Sequence, residues 1–275
     1  MESRTLKVPG ATLYYEVRGT GPVLLMIPGG PMDAGGFAPM ADCLADRYTV
    51  VTTDCRGNSR SPAEGSPDDL TVNVFADDAH LLLAAVGSEP AFVLGSSGGA
   101  TYGLDLVARY PGQVRTLVAH EPPVAALLPD AARWRAWTEE IASISQRDGV
   151  FPALAKFGEG VGLSGPEPSD TGPDPAAAEA MNRMAGNLEL FARHLIPVIT
   201  NYAPDLEALR ASATRVVVGV GDESGDGQLA YRTALALAAA LGVEPVSFPG
   251  DHGGFAGHTE AFAARLHDVL SGPAG

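Results

Sequence analysis

The sequence predicts an α/β protein with a mostly parallel central sheet, flanking helices and an inserted helical cap. Strand-like apolar runs alternate with helix-like patterns over most of the chain, an order typical of parallel sheets covered by helices. The alternation stops between residues 122 and 213, where no strand pattern is evident. A chain of 275 residues with 45% hydrophobic residues can bury one large core that carries such an insertion. We therefore assign residues 1–121 and 214–275 to the core and 122–213 to the cap.

The predicted core strands before the cap are short apolar runs that end at turn residues. The run Val23–Ile27 is preceded by the turn Gly19-Thr-Gly-Pro22, and such clusters of glycine and proline punctuate strands. The same reasoning, applied in order, gives an antiparallel pair over Arg4–Val8 and Thr12–Arg18, strands over Val23–Ile27, Tyr48–Thr53, Ala91–Leu94 and Val114–His120, and a helix over Val72–Val86.

The cap and the second half of the core follow different patterns. Within the cap, apparent helices are joined by a Gly/Pro/Asp-rich loop over residues 162–175, and Asp174 followed by Pro175 has the form of a helix start. That helix would carry Met181 and Met184 on one apolar face, with apolar residues at spacings of three and four. Regular order resumes with strands over Thr214–Val220 and Pro245–Phe248 and helices over Gln228–Leu241 and Thr259–Leu270.

The most informative motif is Gly95-x-Ser97-x-Gly99. An apolar strand leads into it and a helical pattern follows, which is the context of a nucleophile elbow. Small residues at positions 95 and 99 let the strand and helix pack closely around a tight turn that exposes the Ser97 hydroxyl. In a chain with 33 glycines the motif alone is also compatible with an ordinary turn. The flanking strand and helix favour Ser97 as a catalytic nucleophile.

Composition and charge restrict the class of partner. The formal net charge of −15 would repel nucleic acid and anionic membrane surfaces, so we expect neither as a partner. The N-terminal residues lack the apolar segment of a signal peptide, and no run reaches the roughly 18 apolar residues of a membrane span, so we expect a cytoplasmic protein. The expected partner is a small-molecule substrate. The sequence leaves the oligomeric state open, a homodimer included.

Four motifs, in order along the chain, resemble those of the α/β-hydrolase superfamily. Ile27-Pro-Gly-Gly-Pro31 is similar to the oxyanion loop of that family, and residues 54–61, Asp-Cys-Arg-Gly-Asn-Ser-Arg-Ser, are similar to its Asp-x-Arg-Gly-x-Gly-x-Ser turn. The elbow around Ser97 follows, and Gly250-Asp-His-Gly-Gly254 resembles the terminal histidine loop. The resemblance covers nearly the whole chain. It implies the α/β-hydrolase fold, with the insertion at the position of a cap.

His252 is the candidate base, since a serine hydroxyl needs a group that accepts its proton. It lies two residues after Gly250 and just beyond the final predicted strand, where the resemblance places the base. His258 is the main alternative. The remaining four histidines lie within helices, in the cap or, for His120, next to the candidate acid Glu121 on a strand whose adjacent side chains point to opposite faces.

The acid that orients the histidine is where the sequence departs from the family pattern. After the strand that ends near Gly221, the usual Gly-x-x-Asp spacing falls on Ser224, with Asp222 and Glu223 beside it. Some members of the superfamily instead carry the acid at the end of the strand that follows the elbow helix, and there this chain has Glu121. We favour Glu121 as the acid, with Asp222 and then Glu223 as alternatives.

Two further groups complete the predicted site. The resemblance implies an oxyanion hole formed by the backbone amides of Gly30 and Gly98, with Pro28 in place of the usual histidine of the family. In the cap, aromatic and methionine side chains are candidates for an apolar substrate pocket, although a stripe of this kind also packs against protein cores. These pocket candidates are Trp134, Trp137, Met181 and Met184.

Together these expectations describe a cofactor-independent serine hydrolase that cleaves an ester, lactone or thioester of an apolar small molecule through an acyl-enzyme. Serine at position 97, rather than aspartate, disfavours the alkyl-enzyme chemistry of dehalogenases and epoxide hydrolases. The sequence contains no metal-ligand cluster and no dinucleotide fingerprint, so we expect neither a metal nor another cofactor. Two alternatives stay open: a lyase or perhydrolase/haloperoxidase-type enzyme with the same triad, and a non-catalytic ligand-binding protein.

Overall fold

The computed structural model describes residues 1–161 and 175–272 and contains one eight-stranded sheet. The strands are β1 Glu2–Val8, β2 Ala11–Arg18, β3 Val23–Ile27, β4 Thr49–Thr53, β5 Ala91–Ser96, β6 Val114–His120, β7 Arg215–Gly221 and β8 Val246–Phe248. Their order across the sheet is β1-β2-β4-β3-β5-β6-β7-β8. The pairs β1–β2 and β2–β4 are antiparallel, and all the later pairs are parallel.

Helices cover both faces of the sheet and occupy the segment between β6 and β7. They are α1 Ala38–Leu44, α2 Val72–Val86, α3 Gly98–Arg109, α4 Ala131–Asp148, α5 Val150–Val161, α6 Pro175–Leu190, α7 Ile196–Thr200, α8 Leu206–Ala211, α9 Leu229–Leu241, α10 Gly254–Gly257 and α11 Thr259–Ser271. A π-helical stretch, Phe191–Leu195, joins α6 to α7. None of the described helices has both the length and the apolarity needed to cross a bilayer.

Alternate residues of the central strands contribute to two separate apolar cores. In β3, Leu25 and Ile27 pack on the side of the sheet that carries α2, α3 and α9, whereas Leu24 and Met26 pack on the side that carries α1 and α11. Strands buried on both faces are continuously apolar, which explains the uninterrupted run in β3. The sheet is therefore a rigid middle layer, and the carboxyl ends of its parallel strands present side chains along one edge.

The predicted fold is confirmed, and the predicted elements agree closely with those of the structure. The strands β3 and β6 and the helix α2 have the predicted ends. Helices α4 to α8 lie inside the predicted cap, and between β6 and β7 the described residues form no strand. The predicted loop over 162–175, with Asp174 as a helix start, lies almost entirely outside the described residues. The sequence patterns do not predict the short helices α1 and α10.

Candidate active site

Ser97 occupies a sharp turn between β5 and α3. Its backbone has φ 54° and ψ −119°, a conformation that costs a residue with a side chain roughly 1–3 kcal/mol. Three backbone hydrogen bonds hold the turn: the Ser97 amide donates to the His120 carbonyl at 2.9 Å, and the Ala100 and Thr101 amides donate to the Ser97 carbonyl at 3.0 and 3.2 Å. Ser97 is partly exposed, whereas the adjacent Ser96 is buried. The turn therefore lifts the Ser97 hydroxyl above the sheet.

The two glycines of the motif are required by the close approach of neighbouring backbone. A Cβ atom at Gly95 would overlap the Gly99 carbonyl oxygen, and a Cβ atom at Gly99 would overlap the Ile27 carbonyl oxygen at the end of β3. Only glycine fits where two segments of main chain come this close. The Gly-x-Ser-x-Gly sequence therefore reflects the packing of α3 against the ends of β3 and β5.

His252 and Glu121 form a direct hydrogen bond at the carboxyl end of the sheet. The distance from His252 Nδ1 to Glu121 Oε2 is 2.7 Å. Glu121 follows β6 with φ 47°, and its side chain is completely buried. Its other oxygen, Oε1, accepts a hydrogen bond from the Gly221 amide at 2.9 Å. Both carboxylate oxygens are thus bound, one to the histidine and one to the end of β7.

The surroundings of Glu121 keep its carboxyl group ionised. Burial alone would raise the pKa of Glu121, but the hydrogen bond and charge of His252, the charge of His120 and the Gly221 amide outweigh burial, and the pKa falls to about 2. An ionised carboxylate accepts and cannot donate, so the proton of neutral His252 resides on Nδ1. The Nε2 atom of His252 is then free to accept a proton.

The loop that follows β3, residues 28–33, lies against the elbow. A Cβ atom on Gly29 would lie 2.6 Å from Ser97 Cβ and 3.0 Å from the Gly98 nitrogen. Gly30 has φ 55°, a left-handed conformation that favours glycine. Within the described part of the chain, neither the Gly30 amide nor the Gly98 amide donates a hydrogen bond. Two free amides beside a serine, one of them at a helix N-terminus, can stabilise a developing oxyanion.

Ser97, His252 and Glu121 line one mainly apolar cavity of about 510 Å³, its open mouth included. A second hollow also borders Ser97 and His252, and it is bounded by Met32 and Phe255. Phe157 and Phe191 line both hollows and contact each other edge-to-face, with ring centroids 5.3 Å apart. The main apolar residues of the first cavity are Phe157, Val161, Phe191, Ile196, Ile199 and Leu229.

The four predicted pocket residues do not line this cavity, which corrects the sequence prediction. Met181 and Met184 are 56% and 41% exposed, because a different side of α6, that of Arg183 and Asn187, binds the core through the polar contacts described below. Trp134 is buried in an apolar cluster with Val161 and Leu229, which line the cavity, but it does not itself line the cavity. Trp137 stacks behind Phe157, with ring centroids 5.8 Å apart, and so supports the pocket wall without reaching the cavity.

The alternative acids and bases bind other partners. Asp222 Oδ1 accepts a hydrogen bond from the Gly250 amide at 2.8 Å, and Glu223 lies 3.6 Å from His258 Nε2. In the structure it is Glu121 that contacts His252. Of the remaining histidines, His80 binds Gln113, His194 binds Asp68, His267 binds Tyr48, and the buried His120 packs against Phe248 and Phe262.

The structure therefore brings Ser97, His252 and Glu121 to one cavity and sets the loop of Gly30 against the elbow. The roles of these residues in catalysis stay predictions. Sequence reasoning misses the polar cap residues Arg183 and Asn187, which contact the loop beside the site. The available signal was the spacing of four that puts Arg183, Asn187 and Phe191 on one helical face.

A nucleophile elbow on a mostly parallel eight-stranded sheet defines the α/β-hydrolase class of fold. A family model described as the alpha/beta hydrolase fold matches residues 22–151. YraK, an uncharacterized hydrolase of Bacillus subtilis (strain 168), is 37% identical over 271 residues, which cover 97% of this chain and 95% of that protein. The chain therefore belongs to the α/β-hydrolase family.

Two further comparisons agree with this membership. A zearalenone hydrolase of Bionectria ochroleuca is 28% identical over 273 residues, which cover 94% of each chain. The crystal structure of a bromoperoxidase from Bacillus anthracis superposes with a TM-score of 0.78 at 20% identity, over 98% of this chain and 100% of the other. At that identity the structural likeness shows the fold alone.

Proposed function

We propose that this α/β hydrolase is a cofactor-independent serine hydrolase that cleaves an ester, lactone or thioester of an apolar small molecule through an acyl-enzyme. The observation that carries the proposal is the 2.7 Å hydrogen bond between His252 and Glu121, on the wall of a cavity that Ser97 also lines. A histidine held by an ionised carboxylate is suited to accept a serine proton. The hydrolase names of two relatives support the general class.

The acylation step begins with the Ser97 hydroxyl. Its oxygen attacks the substrate carbonyl carbon while its proton passes to Nε2 of His252, and Glu121 stabilises the resulting imidazolium. The carbonyl oxygen becomes an oxyanion that the Gly30 and Gly98 amides can bind. The tetrahedral intermediate then collapses: the bond to the leaving oxygen or sulfur breaks, and His252 gives that atom its proton. The products are the alcohol or thiol and an acyl group on Ser97.

Deacylation repeats these steps with water as the nucleophile. His252 takes one proton from the water molecule as the water oxygen attacks the acyl carbon, and the same two amides can bind the second oxyanion. When the intermediate collapses, the bond to Ser97 breaks and His252 returns the proton to the serine oxygen. The net reaction consumes one water and releases a carboxylic acid. For a lactone, the acid and alcohol remain in one molecule.

The cavity favours an apolar substituent on the substrate. Apart from Glu121 and His252, the described residues that line it carry no ionisable side chain. Ile199 approaches closely the position that a Cβ atom would take on Gly98, so an aliphatic wall stands directly beside the proposed oxyanion hole. An apolar acyl group would bury its surface there, a gain of about 25 cal/mol for each Å² removed from water. Apart from Glu121, whose two carboxylate oxygens are already bound, the described wall residues offer no charge to compensate a charged group.

The test is the pre-steady-state reaction with p-nitrophenyl butanoate in excess over the enzyme. Wild-type protein should release a burst of p-nitrophenol equal to the enzyme concentration and carry a butanoyl group on Ser97, detected by peptide mass spectrometry. Ser97→Ala should abolish both signals. Ser96→Ala is the matched control, because it removes the same hydroxyl from the adjacent buried position and should leave the burst intact.

The other outcomes separate the alternatives. Undiminished hydrolysis by Ser97→Ala, or labelling of another residue by a fluorophosphonate, refutes the assignment of Ser97. Cyanohydrin cleavage without an acyl adduct would indicate a lyase, and acyl transfer to hydrogen peroxide in preference to water would indicate a perhydrolase. Wild-type protein that neither reacts with esters nor is labelled would favour a non-catalytic ligand-binding protein.

A further inference from the structure

One face of the cap contacts the loop over residues 28–33, here called the oxyanion loop. Arg183 and Asn187 of α6 and Phe191 at the start of the π-helical stretch follow one another at intervals of four, so they lie on one side of the helix. Each contacts a different part of the loop: Arg183 contacts Asp33, Asn187 contacts Pro31, and Phe191 lies over Gly30.

Asn187 makes the central contact of this face. Its side chain is almost completely buried, with the residue 3% exposed. The amide nitrogen Nδ2 donates to the Pro31 carbonyl at 2.8 Å and to Ser59 Oγ at 2.9 Å, and the amide oxygen Oδ1 accepts from the Ser59 backbone amide at 2.8 Å. Ser59 itself has φ 47°, so Asn187 also binds a strained turn of the core. A buried amide with both ends bound is a rigid connection between cap and core.

The contacts on either side of Asn187 extend the connection along the loop. Arg183 Nε donates to Asp33 Oδ2 at 2.6 Å, and the other oxygen of this buried carboxylate accepts from the Gly35 amide at 2.8 Å. The ring of Phe191 passes 3.6 Å from the position that a Cβ atom would take on Gly30. The cap therefore touches the loop at Gly30, at the following residue and at Asp33.

Few hydrogen bonds within the oxyanion loop itself stabilise its conformation. Pro28 and Pro31 have no backbone N–H to donate, and the glycines at 29 and 30 are conformationally permissive. Among the described residues, the only backbone hydrogen bond within residues 28–32 runs from the Met32 amide to the Gly29 carbonyl at 3.2 Å. The Pro31 carbonyl, immediately after Gly30, is held by Asn187 from outside.

We propose that Asn187 is a positioning residue for the hydrolytic reaction: from the cap, it holds the oxyanion loop so that the Gly30 amide faces the carbonyl attacked by Ser97. The inference rests on the proposed function. An oxyanion donor acts only when it is aimed at the developing charge, and loss of one donor costs about 10²- to 10³-fold in kcat. Displacement of such a donor by about 1 Å can lower the reaction rate by about 10²-fold. Loosening the Pro31 contact should therefore slow acylation by about 10- to 100-fold.

The test variant is Asn187→Asp, which removes the hydrogen-bond donor of the side chain and keeps an acceptor. The aspartate retains an oxygen to accept from the Ser59 amide, but it puts a second oxygen against the Pro31 carbonyl, where the asparagine nitrogen donated. Asn182→Asp is the matched control, because it makes the same change of charge at an exposed position of the same helix. Arg183→Gln, at a partly exposed position, loosens the Asp33 end of the loop and supplies a second variant should the first fail to fold.

Three readouts are needed. The first is the acylation rate constant, together with the dissociation constant of the ester, both from the dependence of the p-nitrophenol burst rate on ester concentration. The second is the inhibition constant of an alkylboronic acid, whose tetrahedral adduct with serine mimics the oxyanion intermediate. The third is the hydrogen exchange of the peptide that covers residues 28–33, which reports on the loop whether or not an ester is hydrolysed.

The expected result for Asn187→Asp is a 10- to 100-fold slower acylation, a parallel weakening of boronic acid binding, little change in the dissociation constant of the ester and faster exchange in the loop. Asn182→Asp should match wild type, and Arg183→Gln should fall between them. Unchanged exchange in the loop overturns the inference, even if wild type hydrolyses no ester and the proposed function has failed separately. An active wild type with an unaffected Asn187→Asp acylation rate also overturns it, as does an activity loss that only follows the unfolded fraction.

Discussion

Glu121→Gln is the sharpest test of the proposed triad, because it changes one atom of a fully buried side chain. The carboxylate accepts two hydrogen bonds, from His252 Nδ1 at 2.7 Å and from the Gly221 amide at 2.9 Å. A glutamine offers one oxygen and one NH₂ group to these two donors. If its oxygen faces His252, its NH₂ group opposes the Gly221 N–H. If its NH₂ group faces His252, the imidazole must take the tautomer that protonates Nε2, which cannot accept the Ser97 proton.

Both arrangements carry a cost that can be measured. In the first arrangement the buried Gly221 N–H is left without an acceptor, which should lower the free energy of unfolding by about 1–3 kcal/mol. The wrong tautomer and the lost stabilisation of the imidazolium should lower kcat by about 10⁴-fold, the effect of the same chemical change in a serine protease. That factor corresponds to about 5.5 kcal/mol in the activation free energy. The activity loss should thus far exceed the stability loss.

The assay is the p-nitrophenyl butanoate burst, with urea unfolding measured on the same preparations. Asp222→Asn and Glu223→Gln are the controls. Asp222→Asn keeps an oxygen that can accept from the Gly250 amide, and Glu223 contacts the exposed His258, so each should reduce kcat less than 10-fold. A Glu121→Gln variant within 10-fold of wild type, or an Asp222→Asn variant that loses as much as Glu121→Gln, would refute the reasoning.

Two further predictions concern the core and the cavity. Burial lowers the pKa of His120 from 6.5 to about 4, so the unfolded chain binds a proton first as the pH falls and stability is lost between pH 6.5 and 4. His120→Phe should remove about 3 kcal/mol of this pH-dependent loss in the free energy of unfolding, since one pKa unit corresponds to about 1.4 kcal/mol. The measurement is urea unfolding at several pH values. An unchanged dependence of the free energy of unfolding on pH would contradict the reasoning. Phe191→Ala should enlarge the cavity and raise kcat/KM for p-nitrophenyl octanoate relative to the acetate by about 10-fold. An unaltered ratio would show that this ring does not limit the acyl chain.

The sequence predicts the fold well because the signals for it are local. The apolar run of β3 and the periodicity of α2 fix the ends of those elements, and the elbow motif around Ser97 needs only the strand before it and the helix after it. His252 follows from its place in a glycine-flanked loop after the last strand. These features depend on nearby residues, so they can be derived without tertiary structure.

The choice of acid could not be made from spacing alone. Glu121 and Asp222 both follow parallel strands that end at the same edge of the sheet. Only the tertiary structure shows that Glu121, in a turn with φ 47°, hydrogen-bonds to His252. The pocket prediction of Met181 and Met184 failed for a related reason. An apolar stripe tells which residues share a helical face, whereas partners elsewhere in the chain decide which face turns inward. In α6 those partners are Asp33 and Pro31.

The position of Glu121 at the end of β6 also affects how this protein can be engineered. The predicted cap starts directly after it, at Pro122. The Pro122 carbonyl accepts a hydrogen bond from Thr233 Oγ1 of α9 at 2.7 Å. A graft that exchanges the cap with that of a relative therefore has to keep residues 121–123 with the recipient core. It also has to supply an equivalent of Asn187, because the transplanted cap would otherwise lack the hydrogen bond to the Pro31 carbonyl of the oxyanion loop. A splice placed at the last residue of β6 would exchange the acid along with the cap.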